Sequence, residues 1–163
     1  MDKQRLVAQL IDRLRVSLEA AESASEAAAE EARSGATPAE KREDSRTALE
    51  FSRMARSQAE RAARLRDDLR TLAAFQPAPV PRGGRVDVGA IVEIESDDDG
   101  GRTLFLAPCG AGEELTGPGG DGFLSVVTPA SPIGRALLGK RAGESAEARI
   151  AGELREWTIS WVE

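Results

Sequence analysis

From Leu6 to Phe75 the chain keeps an apolar period of three and four residues, and it breaks that period at one place, the stretch GATPAEKRED at 35–44. Before the break, Leu6, Leu10, Ile11, Leu14, Leu18 and Ala21 recur at helical spacing, and Ala24, Ala28 and Ala32 extend the stripe. After it, Ala48, Phe51, Ala55, Ala59, Ala62, Leu65, Leu69, Leu72 and Phe75 do the same. Two long helices joined by so short a break must lie antiparallel, as a coiled-coil hairpin over residues 1–75 with its tip near 34–44. Thr37 reads as the N-cap of the second helix, Pro38 as its first residue and Glu40 as the acid that closes a capping box. That start predicts that residues whose numbers sum to roughly 71 face one another. Glu30 then meets Lys41, Glu26 meets Arg46 and Glu19 meets Arg53. The large apolar residues gather away from the bend and alanines gather toward it, so the pair should thin toward its tip.

The composition changes at FQPAPVPRGG, residues 75–84, where three prolines and two glycines suit neither a helix nor a central strand. Residues 76–84 therefore read as a linker. Beyond it, short apolar runs alternate with glycine clusters, which predicts a small, mostly antiparallel α+β domain over 85–163. VDVGAIVEIES, TLFLA, FLSVV, AEARI and GELREWTISWV read as strands. In the last of these, Leu154 and Trp157 are three apart, so a bulge or a change of face is expected between them. Ser131 is placed to cap a short helix that starts at Pro132 and stops at Gly139.

Several kinds of chemistry are excluded. The chain has no histidine, which removes the commonest general base and metal ligand, and its single cysteine, Cys109, permits neither an internal disulfide nor a cysteine-rich zinc site. Residues 1–75 hold fourteen of the 22 Lys+Arg and fourteen of the 28 Asp+Glu, so the net charge of -6 belongs to the second half. Neither half has the basic footprint of a duplex-binding protein. No apolar run reaches the length of a membrane span and no signal-type stretch follows Met1, which gives an expectation of a cytoplasmic protein; a monomer is expected as well. DDDG reads as an acidic turn, and GPGGDG lacks the strand, helix and lysine of a phosphate cradle.

SPIGRALLGKRAGE, preceded by VVTPA and followed by strands ending in WTISWVE, resembles the C-terminal, FKBP-like domain of the GreA/GreB transcript cleavage factors, and GGRVDVGAIVEIE resembles the start of the same domain. The resemblance implies an accessory factor with no catalytic residue of its own. It implies RNA polymerase as partner, no membrane, and nucleic acid met only through the transcription complex. The C-terminal domain would dock on the rim of the polymerase secondary channel through Ser131, Pro132, Ile133 and Arg135, and the hairpin would reach down the channel. Acids at the tip would help hold Mg2+ at the polymerase active centre during transcript cleavage, the free protein binding no metal stably.

In the family pattern GDLxEN an aspartate and a glutamate stand three apart at the tip, whereas this chain has Thr37 and Glu40 at those positions. Glu43 and Asp44 follow one helical turn beyond Glu40, so these three acids are the candidates for presenting a metal. Equally, acids in a first helical turn complement the helix dipole and need no metal. Two further readings stand beside cleavage stimulation. One is a regulator that occupies the channel without cleaving. The other is a peptidyl-prolyl isomerase, disfavoured by the lack of any tyrosine.

Overall fold

The computed structural model describes residues 2–34, 43–96, 100–117, 122–150 and 152–163. Two helices, α1 (Lys3–Ser34) and α2 (Glu43–Ala74), precede six strands: β1 (Ile91–Ser96), β2 (Gly100–Leu106), β3 (Glu114–Thr116), β4 (Phe123–Val127), β5 (Ser145–Ile150) and β6 (Glu153–Val162). A third helix, α3 (Pro132–Leu137), lies between β4 and β5. The α+β class expected from the sequence is the one observed. The chain divides into two compact units, one of Met1–Ile11 with Thr71–Glu163 and one of Asp12–Arg70.

In the Asp12–Arg70 unit the helices run antiparallel, since Ser25 Oγ donates to the Ala55 carbonyl at 3.0 Å while Glu22, earlier on α1, pairs with Arg66, later on α2. A side chain as short as serine reaches a backbone carbonyl across two helices only where their axes lie close. Leu14, Ala21, Ala28 and Ala62 are the fully buried apolar residues described in this unit, and the alanines permit that approach. The expected register is overturned. A sum near 71 would have set Ser25 opposite Arg46 and Glu22 opposite Leu49. Instead Ser25 meets Ala55 and Glu22 meets Arg66, so each α1 residue faces a position well beyond the one expected. Thr37, Pro38 and Glu40 lie outside the described residues.

In the other unit the strands form one sheet in the order β3-β4-β2-β1-β6-β5. It is mixed rather than wholly antiparallel, because β2 and β4 pair in parallel. One face carries Val92, Ile94, Leu104, Leu106, Trp157 and Ile159, which form a single cluster with Val86 and Leu137. The opposite face also buries Ile91 and Phe105, a directly paired couple. Burial on both faces explains why LFLA is a continuous apolar run rather than an alternating one. Leu154 lies on the outer face and is 61% exposed, so the change of face is found there. The bulge falls later: Glu93 pairs with Trp161 and Ile94 with Ile159, leaving Ser160 as the extra residue, whose Oγ donates to the Glu93 carbonyl at 3.3 Å.

The first nine residues of α1, Lys3–Ile11, belong to this unit. Leu10 rests on the backbone of Gly110, and Gln9 pairs with Thr116 twice, its Nε2 donating to the carbonyl at 3.1 Å and its Oε1 accepting from the N–H at 3.0 Å. Lys3 donates to the Ala78 carbonyl at 3.1 Å; burial holds its amine below the usual lysine range, an effect that Glu163 opposes. We predict that, in a chain carrying Cys109→Ser, cysteines at 25 and 55 crosslink under mild oxidation whereas cysteines at 26 and 45 do not. Non-reducing electrophoresis reads the difference.

Candidate functional site

Two groups of residues carry the functional expectation. The acids at the bend divide between described and undescribed chain: Glu40 lies outside the described residues, while Glu43 and Asp44 are the first two residues of α2. Among the described residues, no group of three His, Cys, Asp or Glu is placed to hold a metal ion.

The segment at 131–135 can be built from its hydrogen bonds. Ser131 caps α3: its Oγ accepts from the Gly134 N–H at 3.2 Å and from the Thr128 N–H at 3.3 Å, and donates to the Thr128 carbonyl at 2.8 Å. One hydroxyl thus closes the turn before the helix and satisfies a donor inside it. Pro132 follows at the first helical position, where its missing N–H costs nothing. The capping serine and starting proline expected from the sequence are both found. Gly139, with φ of 80°, lies two residues beyond the helix, and its N–H donates to the Val86 carbonyl at 2.8 Å.

The four sequence-derived docking residues do not share one environment. Pro132 and Arg135 are exposed, Ser131 is half-buried, and half-buried Ile133 packs against the core cluster. Arg135 Nη2 donates to the Ala130 carbonyl at 3.0 Å, which holds its guanidinium near the helix start. Gly134 cannot be anything larger, since a Cβ there would come within 2.1 Å of the Thr128 carbonyl oxygen.

Sequence reasoning missed the feature beside α3. The end of the segment read as a linker and the first residues after it fold back along the end of the helix: Arg85 Nη1 donates to the Gly139 carbonyl at 2.7 Å, Val86 N–H to the Lys140 carbonyl at 2.7 Å, and Arg141 Nη1 to the Gly83 carbonyl at 3.0 Å. Between them lies a mainly apolar groove of about 460 Å³ whose walls include Pro79, Val80, Pro81, Val86, Leu138 and Gly139. A second hollow, about 440 Å³, lies over β1, β2 and β6 and is lined by Glu95, Ser96, Gly100, Gly101, Glu156 and Thr158. Of the aromatic residues after the linker, Trp157 and Phe105 are both 0% exposed, whereas Phe123 is 75% exposed.

The 131–135 segment lies within a stretch that matches a family model of transcription elongation factors. Residues 81–163 match the family model described as Transcription elongation factor, GreA/GreB, C-term, and the chain belongs to the GreA/GreB family. Over 85 residues it is 32% identical to Transcription elongation factor GreA of Verminephrobacter eiseniae (strain EF01-2) and 33% identical to that of Polaromonas naphthalenivorans (strain CJ2). Each match covers 52% of this chain and 49% of the relative, so it spans about half the length of the curated relatives. Among solved structures, GreA factor homolog 1 (Gfh1) of Thermus thermophilus aligns over 99% of this chain and 94% of its own, at 21% identity and a TM-score of 0.38. Gfh1 of Thermus aquaticus aligns over 98% and 93%, at 18% identity and a TM-score of 0.41.

Gly134→Ala should lower stability by at least about 2 kcal/mol, because the clash is with backbone. Ser131→Ala should cost about 1 kcal/mol as a lost cap. Denaturant melts of the two variants check both values.

Proposed function

We propose that this protein is an RNA polymerase-binding regulator of transcription elongation. It docks through the α3 segment of Ser131, Pro132, Ile133 and Arg135 and extends its helix pair into the polymerase secondary channel. The observation that carries the reading is the family match over residues 81–163 on a chain whose preceding residues form two antiparallel 32-residue helices. At about 1.5 Å per residue, each helix spans roughly 48 Å. On this reading the protein is an accessory factor working in the cytoplasm, and any transcript cleavage is done by the polymerase active centre.

The acids at the bend favour a second form of the same reading, in which the factor also stimulates cleavage of backtracked transcripts. Carboxylate oxygens are the hard donors Mg2+ takes, so Glu43 and Asp44 at the start of α2, with Glu40 before them, fit the ion chemically. Bound beside the polymerase ligands, Mg2+ would supply charge neutralisation and a water of lowered pKa. The chain's own part is to carry oxygen donors to that place. Thr37 stands where the family pattern has an aspartate, which removes one donor and favours the channel-occupying form.

A stalled elongation complex with a labelled, backtracked transcript separates these forms. Binding with slowed nucleotide addition and no shortened transcript is the expected result for the channel-occupying regulator. Transcript shortening that rises with Mg2+ and disappears in the Glu40→Ala/Glu43→Ala chain, with binding unchanged, marks the cleavage-stimulating form. Pro132→Asp should weaken polymerase binding in either case, since an acid is tolerated at the first turn of a helix and the fold should survive. Full affinity in that variant, or no binding by the unmodified protein, overturns the reading.

A further inference from the structure

The two edges of the sheet are unlike. At one edge β3 is three residues long, and Gln9 occupies both backbone groups of Thr116. At the other edge β5 runs for six residues, Ser145–Ile150, and holds neither proline nor lysine, which commonly blunt an open edge. Its pairing with β6 decides which backbone groups face outward. The Ile159 N–H donates to the Glu144 carbonyl at 3.0 Å, and along an antiparallel pair hydrogen-bonded couples alternate with non-hydrogen-bonded ones. Ala146, Ala148 and Ile150 are thus the residues bonded to β6, through Trp157, Arg155 and Glu153. Ser145, Glu147 and Arg149 turn their N–H and C=O groups to the open side. Among the described residues no backbone hydrogen bond reaches those outward groups, and α3 packs on the core face of β5, where Leu137 and Ala146 share a cluster.

The side chains of this strand are matched to its edge. Ala146 and Ala148 are buried on the core face, whereas Glu147 and Arg149 are exposed on the outer one. Glu147 stands directly opposite Glu156, in a non-hydrogen-bonded couple where side chains come closest, and like charges so placed destabilise a sheet. Arg149 stands opposite the exposed Leu154. Its Nη1 donates to the Gly152 carbonyl at 3.0 Å, which uses one of the five N–H donors of a guanidinium.

We infer that β5 is a self-association edge, at which two copies of this chain pair their β5 strands antiparallel about a two-fold axis through Ala148. A second copy is the occupant because the strand complements itself at one register. When Ala148 meets Ala148 of the second copy, Glu147 meets its Arg149 on both sides of the axis, and these are the residues whose backbone groups face outward. Shifting the strands by two residues in either direction sets Glu147 against Glu147 or Arg149 against Arg149. A shift of one residue sets outward backbone groups against inward ones and side chains of one face against those of the other. The centred register also brings a guanidinium beside each Glu147, which offsets the repulsion from Glu156. The two-fold closes, so association stops at the dimer, and a single strand pair is a small interface, so the dimer is weak. None of this rests on the polymerase-binding reading.

Sedimentation of the full chain over a concentration series reaching about 1 mM reads the equilibrium. Wild type should pass from monomer to dimer. Glu147→Arg should weaken the dimer about tenfold, and so should Arg149→Glu, since each puts like charges into both couples. Mixed in equal amounts, the two variants should dimerise with each other about as well as wild type does with itself, because each supplies the charge the other lacks. A role of these residues within one chain does not produce that recovery. Circular dichroism checks that the sheet is kept, and Glu147→Arg, which removes the like-charge couple with Glu156, serves alone if Arg149→Glu does not fold. A wild type that stays monomeric throughout leaves the edge to solvent or to a strand of another protein, and overturns the inference. A dimer that the folded variants form as well as wild type lies at another surface and overturns it too, as does a mixture of folded variants that shows no recovery. Because the measurement contains no polymerase, each of these failures leaves the polymerase reading standing.

Discussion

Leu10 lying on the backbone of Gly110 is the contact on which the sheet unit depends. A Cβ at Gly110 would come within 2.8 Å of Leu10 Cδ1, and the backbone there has φ of 81°, so steric room and conformation both demand glycine. One residue earlier in the helix, the Gln9 amide takes both the N–H and the carbonyl of Thr116. Thr116 ends β3, a three-residue strand at the edge of the sheet. An edge strand exposes a row of unpaired backbone groups, and here a side chain from α1 occupies two of them. Slipping the helix by one residue would lose both bonds and lift Leu10 from its seat.

The Asp12–Arg70 unit is built on the opposite principle. Its described core is small, with alanine at most fully buried positions, and Val16, Leu49 and Met54 are more than half exposed. Alanine burial contributes little transfer free energy but allows helices to lie close, and Ser25 exploits that closeness. Ion pairs at exposed positions, such as Arg56 with Glu60, add about 0.2–1 kcal/mol each at best. Such a pair of helices should open locally at far lower free energy than the sheet, whose Trp157, Phe105, Ile91 and Ile159 are fully buried.

Local signals in the sequence were legible and tertiary ones were not. The cap at Ser131, the proline after it and the two helical stripes could be read because each is decided by residues a few positions apart. The register of α1 on α2 could not, because it is set by contacts such as that of Ser25 with the Ala55 carbonyl, between residues 30 positions apart. Strand β3 has three residues and no alternation to detect, and the parallel pairing of β2 with β4 is a matter of topology. The bulge illustrates the same limit: Leu154 and Trp157 drew attention by their spacing, yet simple alternation already puts them on opposite faces. The extra residue is Ser160, which has a hydroxyl able to reach the carbonyl of Glu93. For the candidate site, Ser131 and Pro132 were legible as the cap and first residue of a short helix. The groove was not, since proline and glycine announce the absence of regular structure and say nothing of what the segment lies against.

The partnership of Gln9 with Thr116 also has a consequence for synthesis. The two residues are 107 positions apart, and Leu10 waits nearly as long for Gly110. At translation rates of about 5–20 residues per second, roughly five to twenty seconds separate their emergence. During that interval Leu6, Val7, Leu10 and Leu14, all buried in the finished fold, form an apolar stripe without the sheet that three of them will join. This stripe leaves the ribosome well before the sheet and is therefore sheltered late, which makes it a natural point of engagement for chaperones that scan nascent polypeptides.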